Sequence, residues 1–367
     1  MGKRLAYIDF LKGASISLVV FYHCSLFLQV NGFQDNAVGH VMNALSLVRM
    51  PVFFFVSGYL STNLVNRPWP EVLGGRVLTF LWLFGLWTVL RYLYFGYLVE
   101  NKLNPDDAFG LSAFVMSYIN PDTQLWFIWA LAIYTIVAKL TINLSKWLVV
   151  GGAFVVSALT YYSVIETYSN QQTYLLWYSL FFFTALRFKR EIIGLIERRS
   201  VLALASSFAL MLAFVVLAKL FDVRISLLRM PLSIAATVAT IFAAASLCRA
   251  GPVNDIVARI GAMSLPIYLA HTFFIAALAN AAAMVAQPSA VTTVSLLFII
   301  ALASIALSIL LYRAARSLGI RGLYDLPRPQ ATPALPLPAD RPDRCPSTLR
   351  DEAGHGRGEW WGRGPPK

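Results

Sequence analysis

Two residues able to carry charge or move a proton, Lys12 and His23, lie eleven positions apart in the first apolar segment of the chain. That segment is long enough to cross a bilayer as a helix. Eleven helical residues return to within ~20° of the starting direction and rise ~16 Å, so both side chains lie on one face. An ionisable group in hydrocarbon costs several kcal/mol unless it faces a cavity or a partner. The spacing therefore predicts a polar path through the membrane, with a cation near one end and a proton acceptor near the other.

Other ionisable residues lie inside later apolar segments. Arg49 is at about the depth of His23, ~8 Å from the outer end of its helix, and Arg91 is ~12 Å from that side. Cations at one level repel each other unless they face water, acids or an anionic ligand. His271 falls in the inner half of its segment, so we expect it nearer the level of Lys12 than that of His23.

Each of these side chains also has a purely structural interpretation, which the sequence leaves open. Lys12 is close enough to Asp9, three residues earlier, to pair with it, and long basic side chains can extend to the headgroups. A buried histidine can simply bond a carbonyl oxygen. Ser57 and Gly58 are typical of a small-residue notch at which helices pack closely. The aromatic run Phe53–Phe55 is typical of packing or lipid-facing residues.

Composition places the chain among integral membrane proteins. Of its 367 residues, 58% are hydrophobic and 13% are charged, which is typical of polytopic helical proteins. We predict an all-α fold of about ten transmembrane helices. The ten apolar segments are 6–29, 42–64, 77–99, 124–142, 147–165, 173–188, 201–220, 226–247, 262–286 and 291–313. The spacing of the three cysteines is typical neither of a disulfide-linked fold nor of a metal site, so no metal is expected.

The loop charges predict orientation and location. With the N-terminus in the cytoplasm, the basic loops fall on the inner side and the acidic loops on the outer side, as the positive-inside rule requires. Both termini are then cytoplasmic, and the net charge of +12 is explained without a nucleic-acid partner. We predict a membrane domain over 1–320 and a disordered cytoplasmic tail, rich in Pro, Arg and Gly, over 321–367. The expected location is the inner, cytoplasmic membrane of a bacterium.

Two motifs in combination resemble those of the acyltransferase-3 family of membrane O-acyltransferases, and most closely the branch that contains fucose 4-O-acetylase-like proteins. The family opens with Arg or Lys, ten residues and then His, which Lys12 and His23 match. Its second helix carries an aromatic run that ends in Ser-Gly-Phe/Tyr-Leu, which Phe53–Leu60 match. Weaker similarities are Leu125–Ile128 and Pro266–His271.

The chain departs from the family pattern at two positions. Lys12 stands where Arg is more usual, a change that the pattern tolerates. Gln124 stands where a His often precedes the Leu-Trp-Phe motif, so the resemblance does not support carrying a role over to that position.

The resemblance implies transfer of an acyl group, commonly acetyl from acetyl-CoA, to a hydroxyl of an extracytoplasmic or lipid-linked glycan. His23 is then the general base or the carrier of the acyl group, and Lys12 faces the anionic donor. The implied partners are acyl-CoA, the glycan acceptor and the lipid bilayer. The implied catalytic residues are Asp9, Lys12 and His23; the oxyanion or substrate-binding residues are Arg49, Arg91, Ser57, Tyr59, Trp126 and His271; and the donor-binding residues are Lys12, Arg67 and Arg76.

Three alternatives stay open. A transporter or flippase of an anionic glycan intermediate would use the basic residues as substrate contacts, although the internal repeats of many transporter folds are not visible here. An acyltransferase-like scaffold would tolerate the loss of His23. Within the enzyme class, a hydrophobic natural product such as a macrolide or terpenoid alcohol competes with the glycan as acceptor.

Overall fold

The computed structural model describes residues 6–103, 110–121, 123–220, 225–247 and 252–327, and this described part of the chain is helical without strands. The helices in chain order are α1 (Ala6–Val30), α2 (Asn36–Val65), α3 (Trp69–Val72), α4 (Leu78–Tyr97), α5 (Leu111–Ser117), α6 (Trp126–Leu140), α7 (Lys146–Tyr161), α8 (Asn170–Arg187), α9 (Lys189–Leu220), α10 (Ile225–Leu247), α11 (Pro252–Ala262), α12 (Ser264–Val285) and α13 (Ala290–Ser317). A π-helical turn, Leu73–Val77, joins α3 to α4, and a 3-10 turn, Arg321–Leu323, follows α13. The predicted all-α class is confirmed.

Each of the ten predicted apolar segments overlaps one of the longer helices. The stretches long and apolar enough to span a membrane, within the described residues, are Tyr7–Val30, Asn36–Val65, Trp69–Tyr97, Leu228–Ala245, Ser264–Val285 and Ala290–Ser317. The helices α6 and α7 are apolar but shorter. The chain is therefore a multi-pass membrane protein, while the count of ten spans and the side of the termini stay predictions. Three short helices among the described residues, α3, α5 and α11, lie in the predicted loops.

The first helix, α1, packs closely against α11 because two glycines leave room for the neighbouring backbone. A Cβ atom on Gly13 would lie 1.9 Å from the carbonyl oxygen of Val257. A Cβ atom on Gly261 would lie 2.1 Å from the carbonyl oxygen of Asp9. Both distances are far below van der Waals contact, so a larger residue requires backbone movement. This contact fixes α11 beside the first turns of α1, where Asp9 and Lys12 lie.

The second helix, α2, packs against α8 at the small-residue notch. A Cβ atom on Gly58 would lie 2.1 Å from the carbonyl oxygen of Phe182. The Ser57 hydroxyl donates to the Phe53 carbonyl oxygen at 2.8 Å, within its own helix. The Phe53 ring stacks on Phe127 with the ring centroids 4.3 Å apart. Both motifs therefore pack as their structural interpretation predicts.

The folded part of the chain extends beyond the predicted boundary at residue 320. The indole nitrogens of Trp82 and Trp87 in α4 donate to the carbonyl oxygens of Gly322 and Leu323, each at 2.8 Å. Tyr324 is 3% exposed. The assignment of 321–327 to a disordered tail is therefore wrong, because composition did not reveal that these carbonyl groups meet two tryptophans. The rest of the predicted tail, 328–367, lies outside the described residues.

Candidate active site

Two histidines from different helices form the centre of the candidate site. The Nε2 atom of His271 in α12 lies 2.9 Å from the Nδ1 atom of His23 in α1. His271 is fully buried, and His23 is half-buried beside it. The two residues are 248 positions apart, so this hydrogen bond is a tertiary contact that neither motif predicts by itself.

The expectation that His271 lies nearer the level of Lys12 is wrong, and α11 is the physical reason. Gly261 at the end of α11 lies against Gly13 of α1, so α12 starts from that level instead of from the membrane boundary. His271 is ten residues beyond Gly261, and His23 is ten residues beyond Gly13. Both helices then rise the same ~15 Å, which brings the two histidines to one level.

Backbone carbonyls around His271 fix the tautomers of the neutral pair. The Nδ1 atom of His271 lies 3.0 Å from the carbonyl oxygen of Ile267 and 2.9 Å from that of Tyr268. A carbonyl oxygen only accepts, so Nδ1 of His271 carries the hydrogen, and its Nε2 is an acceptor. Nδ1 of His23 must then donate, and Nε2 of His23 keeps its lone pair. The arrangement therefore leaves one basic nitrogen on His23.

A cavity of about 370 Å³ opens beside His23. Its walls come from α1, α2, α6, α8 and α10, and they are rich in aromatic rings and positive charge. Lining residues that bear on the chemistry are His23, Arg49, Trp126, Tyr174, Trp177 and Arg229. Sequence motifs pointed to His23, Arg49 and Trp126, whereas the residues from α8 and α10 were missed.

One of the missed residues carried a signal in the sequence. Arg229 lies near the predicted outer end of segment 226–247, and the positive-inside rule leaves few cations on that side. A basic residue at the outer end of a span is therefore a candidate for function. Tyr174 and Trp177 carried no such signal, because aromatic residues are common near the ends of membrane helices.

Arg49 is a buried cation at the wall of the cavity. The side chain is 8% exposed, and its guanidinium carbon lies 3.7 Å from the centroid of the Tyr22 ring. This cation–π contact compensates part of the cost of burial. Its Nη1 atom has no hydrogen-bond partner among the described residues. Arg49 therefore places a positive charge without a counter-ion among the described residues at the wall of the cavity.

Arg91 is placed elsewhere by the structure. It is 1% exposed, and its Nε atom donates to the side-chain oxygen of Gln124 at 3.2 Å. The Tyr268 hydroxyl donates to the backbone oxygen of Gln124 and accepts from the Phe127 amide at 3.1 Å. Arg91 thus belongs to a network that joins α4 to α12 and to the start of α6. Arg91 is not among the described residues that line the cavity.

Four other predicted site residues also lie away from the described lining of the cavity. Asp9 and Lys12 are half-buried in the first turns of α1. Ser57 is bonded within α2, as described above. Tyr59 is 5% exposed, and the Nζ atom of Lys189 lies 4.2 Å from the centroid of its ring. The structure therefore brings together His23, Arg49, Trp126 and His271, but not these four.

The basic residues predicted to meet the donor have local partners at the other end of the bundle. Arg67 is exposed and forms an ion pair with Glu71 at 3.6 Å. The Arg76 guanidinium lies 5.0 Å from the centroid of the Phe80 ring. Lys139 donates to the carbonyl oxygens of Val65 and Arg67 at 3.0 and 2.6 Å, where α2 ends. Part of the positive charge at this end therefore caps helix C-termini.

The chain is similar to a family model and to two known proteins, and the residues matched by the family model include the candidate site. The family model described as "Acyltransferase domain" in the acyltransferase-3 series matches residues 5–313. The chain is 28% identical over 160 residues to Inner membrane protein YcfT of Escherichia coli (strain K12), covering 38% of this chain and 44% of that protein. It is 28% identical over 158 residues to Nodulation protein NolL of Mesorhizobium japonicum, covering 41% of this chain and 40% of that protein. The chain thus spans less than half the length of either relative, and no solved structure matches it.

Proposed function

Because this chain belongs to the acyltransferase-3 family, we propose that it transfers an acetyl group from cytoplasmic acetyl-CoA to a hydroxyl of a cell-surface or lipid-linked glycan. The observation that carries the proposal is the hydrogen-bonded pair of His23 and His271 beside a cavity among membrane helices. The fucose 4-O-acetylase-like branch and the bacterial inner membrane stay predictions.

His23 is the general base of the proposed reaction. Its Nε2 atom takes the proton of the acceptor hydroxyl while the hydroxyl oxygen bonds to the thioester carbonyl carbon. The former carbonyl oxygen becomes negatively charged, and Arg49 stabilises that charge. The carbon–sulfur bond then breaks, and His23 returns the proton to the leaving thiolate. The products are the O-acetyl ester and free CoA.

A covalent route would use the same nitrogen. Nε2 of His23 would attack the thioester carbon, and the carbon–sulfur bond would break to give an acyl-imidazolium and the CoA thiolate. The acceptor hydroxyl would then attack the acyl carbon, its bond to Nε2 would break, and the hydroxyl proton would balance the thiolate as CoA thiol. The two routes differ in whether labelled acetyl remains on the protein when no acceptor is present.

His271 acts through His23 and is therefore a positioning residue. By accepting the hydrogen on Nδ1 of His23, it keeps the lone pair of that ring on Nε2. The aromatic side chains of Trp126, Tyr174 and Trp177 offer flat apolar faces at the cavity wall, against which the apolar face of a sugar ring can pack.

The donor is proposed to enter from the end of the bundle that holds Lys12. Lys12 lies eleven residues before His23 in α1, so the two are separated by ~16 Å along the helix axis. A pantetheine arm extended between them would place CoA phosphates near Lys12 and the thioester near His23. Arg67 and Arg76 add positive charge at the same end and would attract the anionic donor.

The test uses purified protein in lipid nanodiscs with acetyl-CoA labelled on the acetyl group and extracted envelope glycan. Wild type is compared with His23→Ala and with His40→Ala, which removes an exposed histidine of α2 that does not line this cavity. We expect labelled glycan with wild type and with His40→Ala, and its loss with His23→Ala.

Other results have distinct meanings. Label retained on the protein without acceptor, and absent in His23→Ala, would favour the covalent route. Equal labelling by His23→Ala and wild type would refute the assigned base. No turnover by wild type with any acceptor fraction would refute the proposed function. Glycan movement across vesicles that persists in His23→Ala would then favour a carrier.

A further inference from the structure

Two arginines from different helices meet at the cavity of the candidate site. Arg49 comes from α2, and Arg229 comes from α10. The Nη2 atom of Arg229 donates to the Ser46 hydroxyl at 2.7 Å, and the Ser233 hydroxyl donates to the Leu47 carbonyl oxygen at 2.7 Å. These two bonds hold α10 against α2, so helix packing sets where both guanidinium groups lie.

The described lining of the cavity supplies no carboxylate to balance these charges. The ion pairs Arg67–Glu71, Lys146–Glu191 and Arg316–Asp325 all lie away from the cavity. Arg49 is 8% exposed with Nη1 unbonded among the described residues. A buried guanidinium without a counter-ion is costly inside a membrane domain. The charge of buried Arg49, together with that of exposed Arg229 on the same cavity, therefore favours an anionic occupant.

We propose that the acceptor glycan carries an anionic group, a carboxylate or a phosphate, and that Arg229 binds it; this inference rests on the function proposed above. A guanidinium group donates paired hydrogen bonds that match the oxygens of either anion. Arg49 faces the reacting carbonyl and adds to the positive potential. The anion on Arg229 then holds the acceptor so that a hydroxyl of the same or a neighbouring sugar reaches His23.

The position of the cavity assigns the anion to the acceptor instead of to the donor. The cavity extends to Gln29 at the end of α1 and to Gly39 at the start of α2. It therefore opens at the end of the bundle opposite Lys12 and Arg76. In the function proposed above the phosphates of CoA lie near Lys12 and Arg76 at that other end, so Arg229 is not needed for them.

The first experiment identifies which glycan receives the label. Envelope glycan from the organism that encodes this chain is incubated with the wild-type protein and labelled acetyl-CoA, then separated by anion exchange. Parallel samples are first treated to reduce carboxyl groups to alcohols or to remove phosphates. We expect the label in the anionic fraction, with loss of transfer after one of the two treatments.

The outcomes separate this inference from the proposed function. Label in the neutral fraction, unaffected by either treatment, would overturn the anionic acceptor while the acyltransferase stands. Absence of label in every fraction would overturn both. Loss after carboxyl reduction identifies a carboxylate, and loss after dephosphorylation identifies a phosphate.

The second experiment tests whether Arg229 binds the anionic group of the acceptor. Arg229→Gln removes the charge, Arg229→Lys keeps it without the paired donors, and Arg313→Gln is the matched control because Arg313 is exposed on α13. We expect Arg229→Gln to raise the KM for the anionic acceptor about tenfold, Arg229→Lys to raise it less, and neither to change the KM for acetyl-CoA.

A rise in the KM for acetyl-CoA instead would assign the anion to the donor and overturn the proposal. Unchanged KM values for both substrates in Arg229→Gln would overturn it as well. Folding of each variant is checked by its elution and melting temperature in detergent, and Arg229→Lys keeps the test valid if Arg229→Gln melts early.

Discussion

Replacement of His271 tests whether the histidine pair works as a unit. His271→Met fills the same buried space without a nitrogen, so Nδ1 of His23 loses its side-chain acceptor. His271→Gln places an amide near the position of the missing Nε2 atom, and the amide oxygen can accept the same hydrogen. The structure therefore predicts that His271→Met is slower than His271→Gln, although both remove the histidine.

The size of the effect follows from the 2.9 Å hydrogen bond between the two rings. Leaving a buried donor without its partner costs about 1–3 kcal/mol. If that cost falls on the reactive tautomer of His23, kcat decreases by roughly 5- to 150-fold. His271→Gln should recover much of this loss, while the KM for either substrate changes little because His271 is fully buried behind His23.

Steady-state transfer of labelled acetyl to glycan, in nanodiscs, measures kcat and both KM values for the two variants and wild type. Melting temperatures establish that each variant is folded. A kcat for His271→Met within twofold of wild type would refute the positioning role. Equal decreases in His271→Met and His271→Gln would show that packing, and not the acceptor nitrogen, explains the effect.

Three further changes test the fold that positions the site. Gly261→Ala should abolish folded protein, measured as monodisperse yield in detergent, because its Cβ atom would lie 2.1 Å from the Asp9 carbonyl oxygen; a normal yield would contradict the close contact of α11 with α1. Ser57→Ala should leave kcat and KM within about twofold, because its hydroxyl is bonded within α2; a large loss of kcat would place Ser57 in the reaction. Truncation after Pro327 should leave the melting temperature unchanged, whereas truncation after Ser317 should lower it, because the second truncation removes the buried Tyr324; equal melting temperatures would show that the 3-10 segment contributes no stability.

The parts of the fold that depend on local sequence were predictable. Apolar segments long enough to cross a bilayer gave the longer helices, since backbone groups in hydrocarbon must bond internally. Gly58 was predictable as a packing residue, because small side chains let helix backbones approach. His23 and Arg49 were predictable as residues that face a cavity or a partner, because ionisable groups inside apolar segments need one or the other.

The parts that depend on how deep each helix lies were not predictable. The depth of His271 was estimated from the start of its apolar segment. However, α11 already brings the chain to the level of Gly13 before α12 begins. The hydrogen bonds from Trp82 and Trp87 to the segment after α13 are likewise tertiary contacts. Neither the depth of α12 nor these hydrogen bonds produce a periodicity or a composition that could be recognised in the sequence.

The contact between Gly13 and Gly261 therefore also bears on the proposed reaction. Each glycine lies ten residues before one histidine of the pair, so the contact of α1 with α11 sets the relative heights of His23 and His271. A slip of one residue in either helix moves its histidine by ~1.5 Å and rotates the side chain by ~100°. That rotation breaks the hydrogen bond between the rings, because the bond requires a nearly linear donor. Close packing at the end of the bundle that holds Lys12 is thus what keeps the basic nitrogen of His23 available ~15 Å away.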